Sequence, residues 1–313
     1  LKGEKIMRVM ATGLRFPEGP VWLKDGSVAL VEIASGCITI VSPAGEKRVL
    51  ATPGGGPNGM AVGPDGAFYV CNNGGFEWHE ADGLLRPGLQ PADYETGRIE
   101  RIDPVSGAVT RLYDSCGGHK LRGPNDIVFD AHGGFYFSDL GKTRARDRDW
   151  GGLYYARPDG SSIVEVGYRL NTPNGVGLSP DGKTVYVAET PTARLWAFDL
   201  EAPGVAKRHP GQPHGGRFVC GLGGLQMFDS LKVDADGNIC VATLVTGAVT
   251  VIAPDGRVLR VVRFSDPMTT NVCFGGEGLT KAYVTLSGTG QLVELDWTGP
   301  EWSTPGLALA FNR

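Results

Sequence analysis

Six positions in the chain place oxygen-bearing side chains at one fixed point of a repeated phrase: Glu18, Asn58, Asn125, Asn174, Asp229 and Thr270. Each heads an apolar run. Apolar residues follow two and four positions later, and a glycine follows eight positions later (Gly26, Gly66, Gly133, Gly182, Gly237, Gly278). Two carboxylates and three amides converging on one channel form a set of hard oxygen donors. Such a set suits Ca2+, which takes about six to eight oxygen ligands, waters included. Mg2+ and Mn2+ use the same donors, and Zn2+ is a further substitute, although five histidines without paired spacing mark no dedicated zinc site. Carboxylates left bare in a narrow channel are costly. The ensemble therefore reads as a cation site rather than as six unrelated strand caps.

Other catalytic signatures are absent from the sequence. It has no GxSxG nucleophile elbow, no HExxH, no P-loop, and no GxGxxG between a strand and a helix. The net charge of −4 comes without a basic block, which argues against a nucleic-acid partner. No apolar run approaches membrane-spanning length and the N-terminus lacks a signal-peptide core, so the expectation is a cytoplasmic protein with no membrane partner, monomeric or a small homo-oligomer. The six cysteines form no CxxC pair and read as reduced, mostly buried thiols; a Cys116–Cys220 disulfide is the alternative.

The elements that must position the six heads follow from the same phrase. The turn after each head is Asp-Gly in four repeats (Asp25, Asp65, Asp181, Asp236), a strong hairpin signal between alternating runs. Two further strand-like pieces follow each hairpin, such as Cys37 to Val41 and Lys47 to Ala51. Four strands in each of six units of about 52 residues predict a single all-β domain over 1–313, a six-bladed β-propeller with four-stranded blades. Residues 5–11 resemble the outer strand of the first unit and are expected to close the ring as the missing outer strand of the sixth. The tail, 306–313, competes for that place or has another role.

In such a ring the first strand of each blade lines the channel, so all six heads stand at one face. The loops from second to third strands return to that face. Two are long: Asn72 to Gly97, with Trp78 and His79, and Leu140 to Gly151, with Trp150. Long loops beside a cavity are candidate lids or substrate walls.

Several pieces carry a family resemblance: Pro17-Glu18-Gly19-Pro20-Val21-Trp22, Pro124-Asn125-Asp126-Ile127-Val128-Phe129-Asp130, Pro173-Asn174-Gly175-Val176, Ala188-Glu189-Thr190 and Phe228-Asp229-Ser230-Leu231-Lys232-Val233-Asp234. In this order and spacing the chain resembles the SMP-30/gluconolactonase/LRE (regucalcin-like) family and, more distantly, the diisopropylfluorophosphatases. The resemblance implies a divalent cation held by Glu18, Asn174 and Asp229, with Asn125 a fourth ligand or a substrate contact. It also implies a metal-assisted lactone hydrolase, with a sugar lactone such as gluconolactone as the small-molecule partner and Asp229 as base or nucleophile. Asn125 would hold the substrate, Asn58 is a further substrate contact, and Trp78, His79 and Trp150 are candidate walls. Family members of the regucalcin type carry an Arg two residues before the Asn125 position; here that residue is Gly123 and the arginine is Arg122. The alternatives are hydrolysis of phosphorus esters or P–F bonds at the same site, and a non-enzymatic binding propeller.

Overall fold

A computed structural model describes residues 7–312. Six antiparallel sheets follow one another along the chain as the blades of a propeller. Blade 1 comprises strands Pro17–Trp22, Val28–Glu32, Cys37–Val41 and Lys47–Ala51, in that order outward. The inner strands of the other blades are Pro57–Val62, Pro124–Phe129, Pro173–Leu178, Met227–Val233 and Thr269–Gly275. Each inner strand packs against the next, and the last packs against the first, so the ring is closed. Blade 4 is the widest: its third strand, Arg194–Ala202, also carries a short fifth strand, Val205–Ala206.

The apolar alternation explains why the core is distributed. Successive residues of a strand point to opposite faces, and each blade is covered on both. Ala29 and Val31 enter the seam between blades 1 and 2, while Val28 and Leu30 enter the seam between blades 6 and 1. Six buried clusters result, one at each seam. The Asp-Gly turns take the form their residues require. Gly26 adopts φ 85°, open to glycine at little cost, and the Asp25 carboxylate accepts the Ser27 N–H at 2.9 Å. The sixth turn departs from the pattern: Glu277–Leu279 forms a single 3-10 turn.

The N-terminal strand Met7–Ala11 pairs with Gln291–Asp296 and completes blade 6 from outside, with Arg8 and Glu294 forming an ion pair at 2.9 Å. Residues 5 and 6 of the expected strand lie outside the described residues. The tail does not compete for this place. It leaves blade 6 where the Gly306 N–H meets Leu279 O and runs beside Val233 of blade 5. Leu309 then packs into the seam of blades 3 and 4, and Phe311 against Phe129 (5.7 Å between rings). Asn312 ends at Trp22 O of blade 1 (3.0 Å). The tail thus crosses the channel mouth opposite the heads, and it roofs a cavity of about 530 Å3 lined by the lower ends of the inner strands. All six cysteines are free, so the Cys116–Cys220 disulfide is not formed. Among the described residues no helix is long and apolar enough to cross a membrane.

Candidate active site

A β-bulge interrupts every inner strand at or just after its head. In blade 3, Pro124 pairs with Asp139 and Ile127 with Phe137, so Asn125 and Asp126 together oppose the single residue Ser138. The same two-against-one count places Asn58 with Gly59, Asn174 with Gly175, and Asp229 with Ser230. A bulge kinks the strand and re-aims side chains. Blades 1, 2 and 4 carry glycine just after the head because the next strand is too close for a side chain. A Cβ on Gly59 would lie 2.3 Å from Asn125 O, and one on Gly175 would lie 2.7 Å from Asp229 O.

Polar side chains at the ends of the second strands fix the approach to four of the heads. Glu32 accepts the Arg15 N–H (2.7 Å), Asn72 the Gly56 N–H (2.9 Å) and Glu189 the Asn171 N–H (2.6 Å). Asp139 accepts three, from Arg122, Gly123 and Gly141, at 2.7, 2.7 and 2.9 Å.

Glu18, Asn58, Asn125, Asn174 and Asp229 are all buried at this face. Oxygen Oε2 of Glu18 accepts the Gly19 N–H and the Asn271 amide, each at 2.6 Å, while Oε1 accepts no hydrogen bond from the described residues. The Asn174 amide contacts Asp229, and its Oδ1 accepts the Ser230 hydroxyl at 3.3 Å. Oδ1 of Asn125 is buried without a partner among the described residues. Burial pushes Glu18 up to about 7 against the pull of its two donors. Burial and the charge of Glu18 push Asp229 well above the ordinary carboxyl range. Two desolvated carboxylates that repel each other, one open carboxylate oxygen and one orphaned amide oxygen are what a hard divalent cation would satisfy. Among the described residues no group of three or more Asp, Glu, His or Cys side chains is placed to hold a metal ion, so the remaining donors of this set are amides.

The family is thereby testable against residues in known places, and the chain matches the family described as SMP-30/Gluconolactonase/LRE-like region over residues 16–288. The chain belongs to this family. A gluconolactonase of Zymomonas mobilis is 28% identical over 304 residues, covering 88% of this chain and 77% of that protein. Lactonase drp35 of Staphylococcus saprophyticus is 30% identical over 262 residues, covering 82% and 73%. Among solved structures, a calcium-binding protein, regucalcin, of Agrobacterium tumefaciens superposes with a TM-score of 0.70 at 21% identity, covering 97% of this chain and 98% of that one.

Within this SMP-30-family ring the sixth head differs from expectation. Thr270 turns its hydroxyl to Thr285 and Ser287 (2.9 and 2.5 Å), and it is Asn271 that reaches Glu18. Two further residues of the channel were missed from sequence. Asp126 is fully buried, and Lys232 stands 3.4 Å from both of its oxygens. Strict alternation puts the residue after a head on the far face; the bulge brings it back. A bulge could have been suspected from the Gly or polar residue that follows every head.

The candidate walls are less uniform. The long blade 2 loop forms a hairpin, Trp78–Ala81 with Leu84–Pro87, that reaches over blade 1 to blade 6, where the Leu85 N–H donates to Gly288 O (2.8 Å). Trp78 packs on Phe16 (5.1 Å) and Phe76 (6.0 Å) and anchors this hairpin. His79 lies exposed on the hairpin and Trp150 is 48% exposed at the end of the blade 3 loop. Buried Lys142 ties the two loops together. Its ammonium donates to Gly75 O and lies 4.4 Å from the Phe76 ring centroid and 5.1 Å from that of Tyr94.

Proposed function

We propose that this protein is a divalent-cation-dependent lactone hydrolase, with Ca2+ the expected ion and a sugar lactone such as gluconolactone the expected substrate. The observation that carries the reading is the pairing of Glu18 and Asp229, both buried and both pushed upward, beside the orphaned Oδ1 of Asn125. The lactonase names of the relatives and the calcium-binding name of the structural neighbour point the same way.

Glu18, Asn174, Asp229 and Asn125 would hold the ion. A bound divalent cation supplies Lewis-acid polarisation of an ester carbonyl and stabilises the negative oxygen formed on attack. Asp229 is the general base. It takes a proton from the attacking water. The water oxygen bonds to the acyl carbon, the ring C–O bond breaks, and the departing ring oxygen takes the proton. Asn125 and Asn58 orient the substrate carbonyl and hydroxyls, Trp78 holds the wall formed by the blade 2 hairpin, and His79 and Trp150 meet substrate at the rim.

A panel of gluconolactone, a pentonolactone and dihydrocoumarin, assayed after EDTA treatment and again after Ca2+ addition, tests this. Activity is expected to vanish and return, and Asp229→Ala and Glu18→Ala each to lower kcat/KM by at least about a hundredfold. Full activity in metal-free protein overturns the proposal.

A further inference from the structure

The mechanism leaves one buried ionic pair unused. Lys232 rises from the inner strand of blade 5, three residues after Asp229, and meets Asp126 of blade 3, the residue after Asn125. Its side chain is 12% exposed and that of Asp126 is 1% exposed. Asp126 is otherwise held by the N–H groups of Ile127 (2.9 Å) and, in blade 4, Val176 (3.1 Å). The pair lies within electrostatic range of the proposed ligands: Glu18 feels both Asp126 and Lys232, and Asp229 feels Asp126. A buried ion pair of this kind is a poor source of stability, since desolvation offsets much of the attraction. Its value lies in the charge it fixes in a largely buried place, where solvent screens it less than at the surface.

The charged side chains on the six inner strands are Glu18, Asp229 and Asp126 against Lys232, three negative and one positive, while Glu32, Asp139 and Glu189 belong to the second strands and are engaged by backbone N–H groups. We propose that Lys232 is a built-in counter-ion which, paired with Asp126, sets the ring at a net charge of minus two and so matches it to a single divalent cation. Lys232 is thus a positioning residue. It touches no substrate, and it acts by setting how strongly the ring holds its ion. The inference rests on the reading of the ring as a cation site.

Calorimetric titration with CaCl2 of protein freed of metal by EDTA tests it, without any activity assay. Wild type is expected to bind one Ca2+. Lys232→Met leaves a charge of minus three and is expected to tighten the Kd by roughly tenfold. Asp126→Asn leaves minus one and is expected to weaken it by roughly tenfold. The double variant returns to minus two, and its Kd is expected within about threefold of wild type. A purely structural pair would weaken binding in both single variants, and that outcome overturns the inference, as does no change in either. Should Lys232→Met not fold, Lys232→Arg and the double variant decide: either one binding Ca2+ more than tenfold differently from wild type overturns it. A wild type that binds no divalent ion at all overturns the cation-site reading instead, which keeps the two failures apart.

Discussion

At the scale of single residues, the ring is a place where protonation and ion binding oppose each other. Glu18 in the metal-free protein holds its proton up to about pH 7, whereas an unfolded glutamate releases it near 4.5. Between these values the folded state binds more protons than the unfolded state, so stability falls as pH rises. The stability from this group is fully present below about 4.5 and is lost as pH climbs through 7, a change of about 3 kcal/mol. Asp229, also raised, adds in the same direction. Urea denaturation in EDTA is therefore expected to give a less stable protein at pH 8 than at pH 5, with Ca2+ removing the difference and Glu18→Gln flattening it. A metal-free protein that gains stability over this range contradicts the assignment. That these heads lie buried at one face was legible in the sequence because each is locked in phase with an Asp-Gly or similar turn. Asn271 and Asp126 were not, since the bulge that brings them to the channel leaves the apolar period around it intact, and Lys232, which pairs regularly with Cys240 beyond the bulge, carries no sequence mark of its partner. Thr270 misled for the same reason: the phrase marks a position on the strand, not which of two bulged residues faces inward.

At the scale of elements, the second strands do more than fill the seams. Their terminal residues Glu32, Asn72, Asp139 and Glu189 hold the N–H groups of the segments that deliver the heads. The sequence showed Glu189 as part of a family pattern without showing its work, because a carboxylate that binds backbone has no partner residue type to read. Asp139→Ala strands three N–H groups beneath Asn125. A loss of about 3 kcal/mol or more is expected in chemical denaturation, with Asp139→Asn retaining part of it. The lids behaved differently. Their length and position were legible, but Trp78 turned out to be engaged by Phe16 and Phe76, since a loop tryptophan finds apolar neighbours before it finds a ligand.

At the scale of the molecule, both termini act as fasteners. The N-terminal strand closes blade 6, as its likeness to the outer strand of blade 1 foretold. The tail was not readable, because Leu307, Leu309 and Phe311 form an alternating run that would suit any strand. Removing 306–313 takes away the partly buried side chains of Leu307, Leu309 and Phe311 and the bond from Asn312 to Trp22. A loss of about 3 kcal/mol and of several degrees in Tm is expected by calorimetry, with the ring still folded by circular dichroism. An unchanged Tm would show that the tail contributes nothing.

The tail also bears on turnover. A channel crossed at one mouth is a well, so an acid formed at the end where the heads stand leaves by the opening that admitted its lactone. Traffic in both directions then shares one passage, and released product stands in the way of the next substrate. Inhibition by the hydroxy acid is accordingly expected to be competitive in the intact chain.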